Sequence, residues 1–223
     1  MPKSSSHFIV AIDGPAGSGK STVSKLIAKS LGLLYIDTGA MYRALTLKAM
    51  RQKINLEDAE SLSRLAKSTK VDLQEIGGRL NVFLDGEDVS GFIRTPELTN
   101  NVKFIARVPD VRHEMVAQQR LIGCRSSAVL EGRDIGTVVF PDAKYKFYLD
   151  ADVEERSKRR HKELVEARQT VELGDIKKDV LKRDESDMKR DVGALKKAPD
   201  AILIDTTDLS IEGVVEKLLG YIK

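Results

Sequence analysis

Apolar residues gather in five short runs, at residues 8–12, 33–36, 128–130, 145–149 and 201–204. Each run is followed at once by an acidic residue: Asp13, Asp37, Glu131, Asp150 and Asp205. Runs of this length, bounded by polar residues, predict buried strands. Segments of helical period lie between them. Val23, Leu26, Ile27, Ala28 and Leu31 share one helical face, and Gly32 supplies the stop. Ser210 caps a closing helix that carries Ile211, Val214, Val215, Leu218 and Leu219. Strand and helix alternating over most of the chain predict an α/β fold, a doubly wound five-stranded parallel sheet. Acidic residues at the carboxyl ends of its strands fall where such sheets build their sites.

Residues 71–93 break the alternation. Leu80, Val82 and Leu84 stand at period two between Gly77-Gly78 and Asp85-Gly86, which predicts small antiparallel strands joined by hairpin turns. Thr95-Pro96-Glu97 then opens a helix, with threonine as cap and proline in the first turn, and Pro109-Asp110 opens another. The expected division is a core of residues 1–65 and 109–223 with an inserted antiparallel β/α lobe at 66–108.

Composition narrows the function. Of 223 residues, 41% are hydrophobic and 32% charged, which suits one core with a small appended lobe. A net charge of +3, from 37 basic and 34 acidic residues, is too balanced for a protein that neutralises a polyphosphate backbone, so no nucleic-acid partner is expected. The single Cys124 has no disulfide partner and no Cys or His at metal-ligand spacing; a small buried apolar residue is the expectation for it, in a reducing compartment. Residues 1–7 precede an apolar run too short for a signal sequence or membrane span, so a cytoplasmic protein without membrane association is expected. No apolar stripe is left over for an interface, which predicts a monomer. The only low-complexity tract is Ser4-Ser5-Ser6.

Gly14, Pro15, Ala16, Gly17, Ser18, Gly19, Lys20, Ser21 and Thr22 contain the pattern GxxxxGK[ST], directly after a predicted strand and before a predicted helix. Glycines let successive backbone N–H groups turn inward around phosphates, and the helix N-terminus adds its positive field. Lys20 reaches the outer phosphates, and the Ser21 hydroxyl is the expected Mg²⁺ ligand for bound ATP. A GTPase switch is disfavoured, because NKxD does not occur and the only DxxG match, at residues 88–91, lies in the hairpin segment.

Other charges converge on the same sheet ends. Thr38, Tyr42 and Arg43 follow the second run in Asp37-Thr38-Gly39-Ala40-Met41-Tyr42-Arg43, and the Thr38 hydroxyl is expected to face the phosphate loop. After the third run, Glu131-Gly132-Arg133-Asp134-Ile135-Gly136-Thr137 is expected to open a helix in the same way. Arg183, Asp187 and Arg190, at i, i+4 and i+7, predict one helical stripe. A basic helix at 154–164 places Arg156, Arg159 and Arg160 at i, i+3 and i+4, with His161 expected to be exposed.

The runs GPAGSGKS, YIDTGAMYRAL, DGEDVSGFIRTPEL, EGRDIGTVVFPDA and KRDESDMKRDVGAL are similar, in order and spacing, to bacterial cytidylate kinases, a nucleoside monophosphate kinase family, over nearly the entire chain. The resemblance implies a P-loop NTPase core sheet, an enlarged monophosphate-binding lobe and a short mobile lid, here about 154–170. It implies that Arg43, Arg133 and Arg190 hold the acceptor phosphate, that Asp134 and Arg112 read the cytosine edge, and that Arg183 and Asp187 hold the sugar hydroxyls. The substrates would be ATP with CMP or dCMP. The chain departs at Lys103, where the family commonly has a serine near the base.

On this reading Lys20, Arg133, Arg159 and Arg190 are the expected catalytic cations, with lid arginines neutralising charge that spreads over the transferred group. A monophosphate has its second pKa at about 6, so its oxygen is already ionised at neutral pH and needs no general base. Abundant arginine therefore suits a phosphate acceptor better than an alcohol. The alternatives are a kinase for UMP or AMP, a small-metabolite kinase using Asp37 as base, and an ATP-dependent switch protein.

Overall fold

The computed structural model describes residues 7–166 and 169–222; the serine tract, the residues before His7, and residues 167 and 168 of the expected lid lie outside that description. The chain begins β1 (Ile9–Asp13), α1 (Lys20–Leu31), β2 (Leu34–Asp37), α2 (Thr38–Arg51) and α3 (Ala59–Lys67). It continues with β3 (Val71–Ile76), β4 (Arg79–Leu84), β5 (Glu87–Asp88), α4 (Pro96–Ala106) and α5 (Pro109–Gly123). Then come β6 (Ala128–Gly132), a π-helical turn at Ile135–Val139, β7 (Tyr145–Asp150), α6 (Val153–Glu166), α7 (Leu173–Met188), β8 (Ile202–Asp205) and α8 (Ile211–Leu219).

All five apolar runs become strands of one parallel sheet in the order β2-β6-β1-β7-β8. Their side chains alternate between two cores. Ala11, Ile36, Ala128 and Leu130 face a layer containing α2, α3 and α5, whereas Val10, Ile12, Tyr35, Val129, Phe147 and Leu149 face α1 and α8. Two-sided burial explains why the strands read as continuous apolar runs. With β1 central, its carboxyl end opens directly into the phosphate loop, at the point where strand order reverses.

The hairpin segment forms an antiparallel sheet, β3-β4-β5. Both turns need positive φ at two successive residues, and Gly77 and Gly78 supply 60° and 74°, Asp85 and Gly86 51° and 91°. Asp85 tolerates this because its carboxylate accepts the Lys70 N–H at 2.9 Å and pairs with Lys48 at 2.6 Å. Val71, Leu73, Val82 and Leu84 pack in the same apolar cluster as α2, so the core runs unbroken from the large sheet to the small one.

The expected caps are present: Thr95 accepts the Leu98 N–H at 3.2 Å, Ser210 accepts that of Gly213 at 3.1 Å, and Gly32 ends α1 at φ 64°. Other expectations need correction. Leu26, Leu31 and Ile211 are 38%, 36% and 47% exposed, so the stripes of α1 and α8 bury only their central residues. Cys124 is exposed, because it follows α5 where that helix leaves the core. The segment after β6 makes a five-residue turn in place of a full helix, since Asp13 takes the N–H groups of Ile135 and Gly136, at 2.8 Å each, and holds the turn against β1. Among the described residues no helix is long and apolar enough to cross a membrane.

Leu45 on α2 is 1% exposed in the layer that joins the two sheets. Leu45→Ala should lower unfolding free energy by about 2–5 kcal/mol in urea titration, with one cooperative transition for both sheets.

Candidate active site

The phosphate loop runs from β1 into α1 with Gly14, Gly17 and Gly19 at φ 149°, 79° and 86°. At Gly14 the requirement is absolute, because a Cβ there would lie 2.0 Å from the Leu149 carbonyl oxygen on the neighbouring strand. Lys20 opens α1, is buried, and donates from Nζ to the Pro15 carbonyl at 2.5 Å and to Ser18 Oγ at 3.3 Å. Burial, reinforced by Arg133 and opposed by Glu131, pulls the Lys20 ammonium down to about 7. A lysine held this way is prepared for an anion that the fold itself does not supply.

Carboxylates at the strand ends organise the floor. Glu131 Oε2 accepts the Ser21 hydroxyl at 2.8 Å, and its Oε1 accepts Tyr35 OH at 2.5 Å. Its backbone oxygen takes Thr38 Oγ1 at 2.7 Å. Burial, with Asp37 nearby, raises the Glu131 carboxyl above its ordinary range despite these donors. Asp37 caps α2 through the Ala40 N–H at 2.8 Å, pairs with Arg43 at 2.9 Å and meets Arg94 at 3.5 Å. Burial pushes Asp37 up, but Arg43 and Arg94 outweigh it and hold the carboxyl below its ordinary range.

Facing this floor is a set of arginines. Arg133 Nε donates to Asp187 Oδ2 at 2.7 Å, and Arg190 pairs with the other oxygen of Asp187. Arg190 lies beyond the end of α7, so the expected helical stripe is corrected: Arg183 and Asp187 share the helix, and Arg190 reaches Asp187 from the segment after it. Arg112 pairs with Asp134, both buried, and its guanidinium sits 5.5 Å from the centre of the Tyr42 ring. Gly193, at φ 64°, passes so close that a Cβ would meet Arg112 Nη2 at 2.0 Å. Arg183 has no hydrogen-bond or ion-pair partner among the described residues. Burial first, then Arg133 and Arg43, lower its guanidinium to about 10. Among the described residues the buried Nε atoms of Arg43, Arg112 and Arg190 also lack hydrogen-bond partners.

The basic helix divides its arginines. Arg156 is the buried one: it donates to the Ala16 carbonyl of the phosphate loop at 3.1 Å and pairs with Asp184 at 2.6 Å. Arg159 donates to Thr206 Oγ1 at 3.0 Å, to the Thr206 carbonyl at 2.6 Å and to Glu155 at 3.0 Å. Arg160 pairs with Glu163 at 3.0 Å. His161, expected to be exposed, is half-buried with Nε2 3.1 Å from the Val171 carbonyl, because α6 packs against α7 and its entry. The structure thus gathers Lys20, Ser21, Thr38, Arg43, Arg133, Arg183, Asp187 and Arg190 at one mouth, with Arg112, Asp134 and Tyr42 beside it, and keeps Arg159 on the loop after β8. Sequence reasoning did not single out Tyr35, Arg94, Asp184 or Gly193. Only the tyrosine offered a signal, a polar group two residues before a strand-end acid.

A glycine-lined phosphate loop on the central parallel strand, facing a cluster of arginines across the neighbouring strand ends, defines a P-loop kinase. Within that class the chain belongs to the cytidylate kinase family, which matches residues 10–223. It is 51% identical over 213 residues to the cytidylate kinase of Geobacillus sp. (strain WCH70), covering 96% of this chain and 95% of that one. It is 47% identical, with the same coverage, to that of Bacillus thuringiensis (strain Al Hakam). An uncharacterized protein from Eubacterium ventriosum ATCC 27560 shares the fold, with a TM-score of 0.53 at 14% identity over 97% of this chain and 98% of that one.

The depressed Lys20 value implies a cost to the stability of the nucleotide-free protein. The folded value of about 7 lies below the ordinary 10.5, so the cost is full at and below pH 7 and fades as pH rises toward 10.5. Lys20→Met should therefore be more stable than wild type by at least about 1 kcal/mol at pH 7, and by less at pH 9.5, in urea titrations. Turnover should fall by orders of magnitude. A Lys20→Met protein less stable than wild type at pH 7 would refute this.

Proposed function

We propose that this enzyme transfers the γ-phosphoryl group of ATP to CMP or dCMP, giving ADP and CDP or dCDP. The observation that carries the reading is Arg183, a half-buried guanidinium beside Arg133 and Arg43 that has no ion-pair partner among the described residues and whose attraction to Asp187 is shared with Arg133 and Arg190. Such a concentration of cations becomes favourable when an anion enters it.

The phosphate loop and Lys20 hold the ATP phosphates, and Arg156 braces that loop through Ala16. Arg43, Arg133 and Arg190 take the acceptor phosphate, with Asp187 keeping Arg133 and Arg190 aimed while accepting from the sugar hydroxyl. Arg183 stands on the sugar side of the same mouth. Arg112 and Asp134 present one donor fork and one acceptor to the base. Arg159, fixed to the loop after β8, serves the ATP side. Acceptor and donor anions meet in line between these clamps, so positioning and neutralisation lower the barrier. Ser21 Oγ and the Glu131 carboxylate, hard oxygen donors beside the loop, fit Mg²⁺, which keeps most of its shell as water and phosphate oxygen. Bound there, it would neutralise charge on the outer phosphates.

Asp37 argues against an alcohol acceptor. Its carboxyl is occupied by the Ala40 N–H and by Arg43 and is held below its ordinary range, which makes it a weak base. Lys103, at the departure from the family pattern, is exposed on α4 with its ammonium 5.0 Å from the Phe104 ring centre. Residues 66–108 would act as the acceptor lobe and 154–170 as the lid, closing to exclude water.

A coupled ADP-release assay against CMP, dCMP, UMP, AMP and GMP should show CMP and dCMP as preferred acceptors; no turnover with either would refute the function. Asp187 is 3% exposed and bonded to two arginines, so its loss is no surface effect. Asp187→Asn should reduce kcat/KM for CMP and dCMP at least tenfold while leaving ATP affinity within about twofold. Hydrogen exchange in 66–108 and 154–170 should slow when a bisubstrate analogue binds, and unchanged exchange would contradict the closure.

A further inference from the structure

Tyr35 is a core residue by position and a polar one by contact. Its ring packs on the α1 and α8 side of the sheet, in the cluster that holds Val10, Ile12 and Val129, and β2 pairs it with Val129. Its hydroxyl donates to Glu131 Oε1 at 2.5 Å, while Oε2 of the same carboxylate accepts Ser21 Oγ at 2.8 Å. Glu131 is 4% exposed, and its two carboxylate oxygens are committed to different donors. A buried carboxylate is oriented by the donors it has, and the phenol is the rigid one, held by its ring and by the strand. The serine on α1 is the adaptable one. By fixing Oε1, Tyr35 fixes the direction of Oε2, and Oε2 draws the Ser21 proton toward itself. The lone pairs of Ser21 Oγ are then left facing away from Glu131.

We propose that Tyr35 is a positioning residue for the Mg²⁺-dependent grip on ATP, acting through Glu131 to hold Ser21 as an acceptor-only oxygen. The inference rests on the reading of Ser21 as the metal ligand. It assigns a function to the strand residue that the phosphate-loop pattern does not contain. Thr38, whose hydroxyl takes the Glu131 backbone oxygen at 2.7 Å, fixes the main chain at the same point and leaves the carboxylate direction to Tyr35.

The test is calorimetric binding of a non-hydrolysable ATP analogue with and without Mg²⁺, for wild type, Tyr35→Phe, Tyr35→Leu, Ser21→Ala and the Tyr35→Phe/Ser21→Ala double variant. Tyr35→Phe keeps the ring, should lower the thermal midpoint only by the few degrees that one lost buried hydrogen bond costs, and should retain the metal-free affinity. It should lose at least threefold of the affinity gain that Mg²⁺ confers, with kcat reduced about tenfold and KM for CMP unaltered. In the Ser21→Ala background Tyr35→Phe should have no further effect on the Mg²⁺ gain. An equal Mg²⁺ gain in wild type and Tyr35→Phe would overturn the proposal alone. So would impairment confined to Tyr35→Leu, which would assign the effect to ring packing. No Mg²⁺ gain in wild type would overturn the metal reading of Ser21 and this proposal with it.

Discussion

The constraint on which the structure turns is that a site for two phosphorylated substrates must fold while they are absent. Its cations repel one another and are partly removed from water, so each is a cost unless a carboxylate stands nearby. Asp187 answers this for Arg133 and Arg190, Asp134 for Arg112, Asp184 for Arg156 and Asp37 for Arg43. Among the described residues Arg183 and Lys20 are left without a matched ion pair, and both are lowered from their ordinary values, by burial first and by Arg133 next. The site is thus neutral enough to fold and cationic enough to bind.

Those carboxylates are not interchangeable. Asp187 touches two arginines from two different segments, one after β6 and one after α7, so it fixes the separation of their guanidinium groups. Asp37 spends one oxygen on capping α2 and the other on Arg43 and Arg94, which ties a strand end, a helix start and the segment before α4 together. Asp13 forms no ion pair among the described residues; it accepts two backbone N–H groups and sits raised to about 6, mainly by burial. It shapes the turn that carries Arg133 and Asp134.

Glu131 is where the two halves of the site meet. Its side chain reaches Ser21 on the ATP side, and its backbone oxygen holds Thr38 on the other. Parallel strands make this possible, because β6 lies between β1 and β2 and carries Glu131 level with Asp37 on one side and with Ile12, next to Asp13, on the other. A register shift by one residue would turn Glu131 to the opposite face and separate the two functions.

Sequence alone determined the five parallel strands, the hairpin insert, the main helix caps and the phosphate loop. These are local matters: short apolar runs, glycines at positive φ and a cap residue carry their meaning within a few positions. It also named the arginines, through runs that match a family over the whole chain. Tertiary structure alone decided which charges pair with which. Arg183, Asp187 and Arg190 looked like one helical stripe, yet α7 ends at Met188 and Arg190 returns to Asp187 from outside it. Arg156, Arg159 and Arg160 were equivalent as a pattern, yet only Arg156 is buried against the phosphate loop, because α6 turns that face toward Ala16 and Asp184. Cys124 read as core and lies exposed. Tyr35 read as an apolar strand residue and spends its hydroxyl on Glu131, 96 positions away. Spacing along a chain carries no information about a partner that far off; the strand register that brings Asp37 beside Glu131 supplies it.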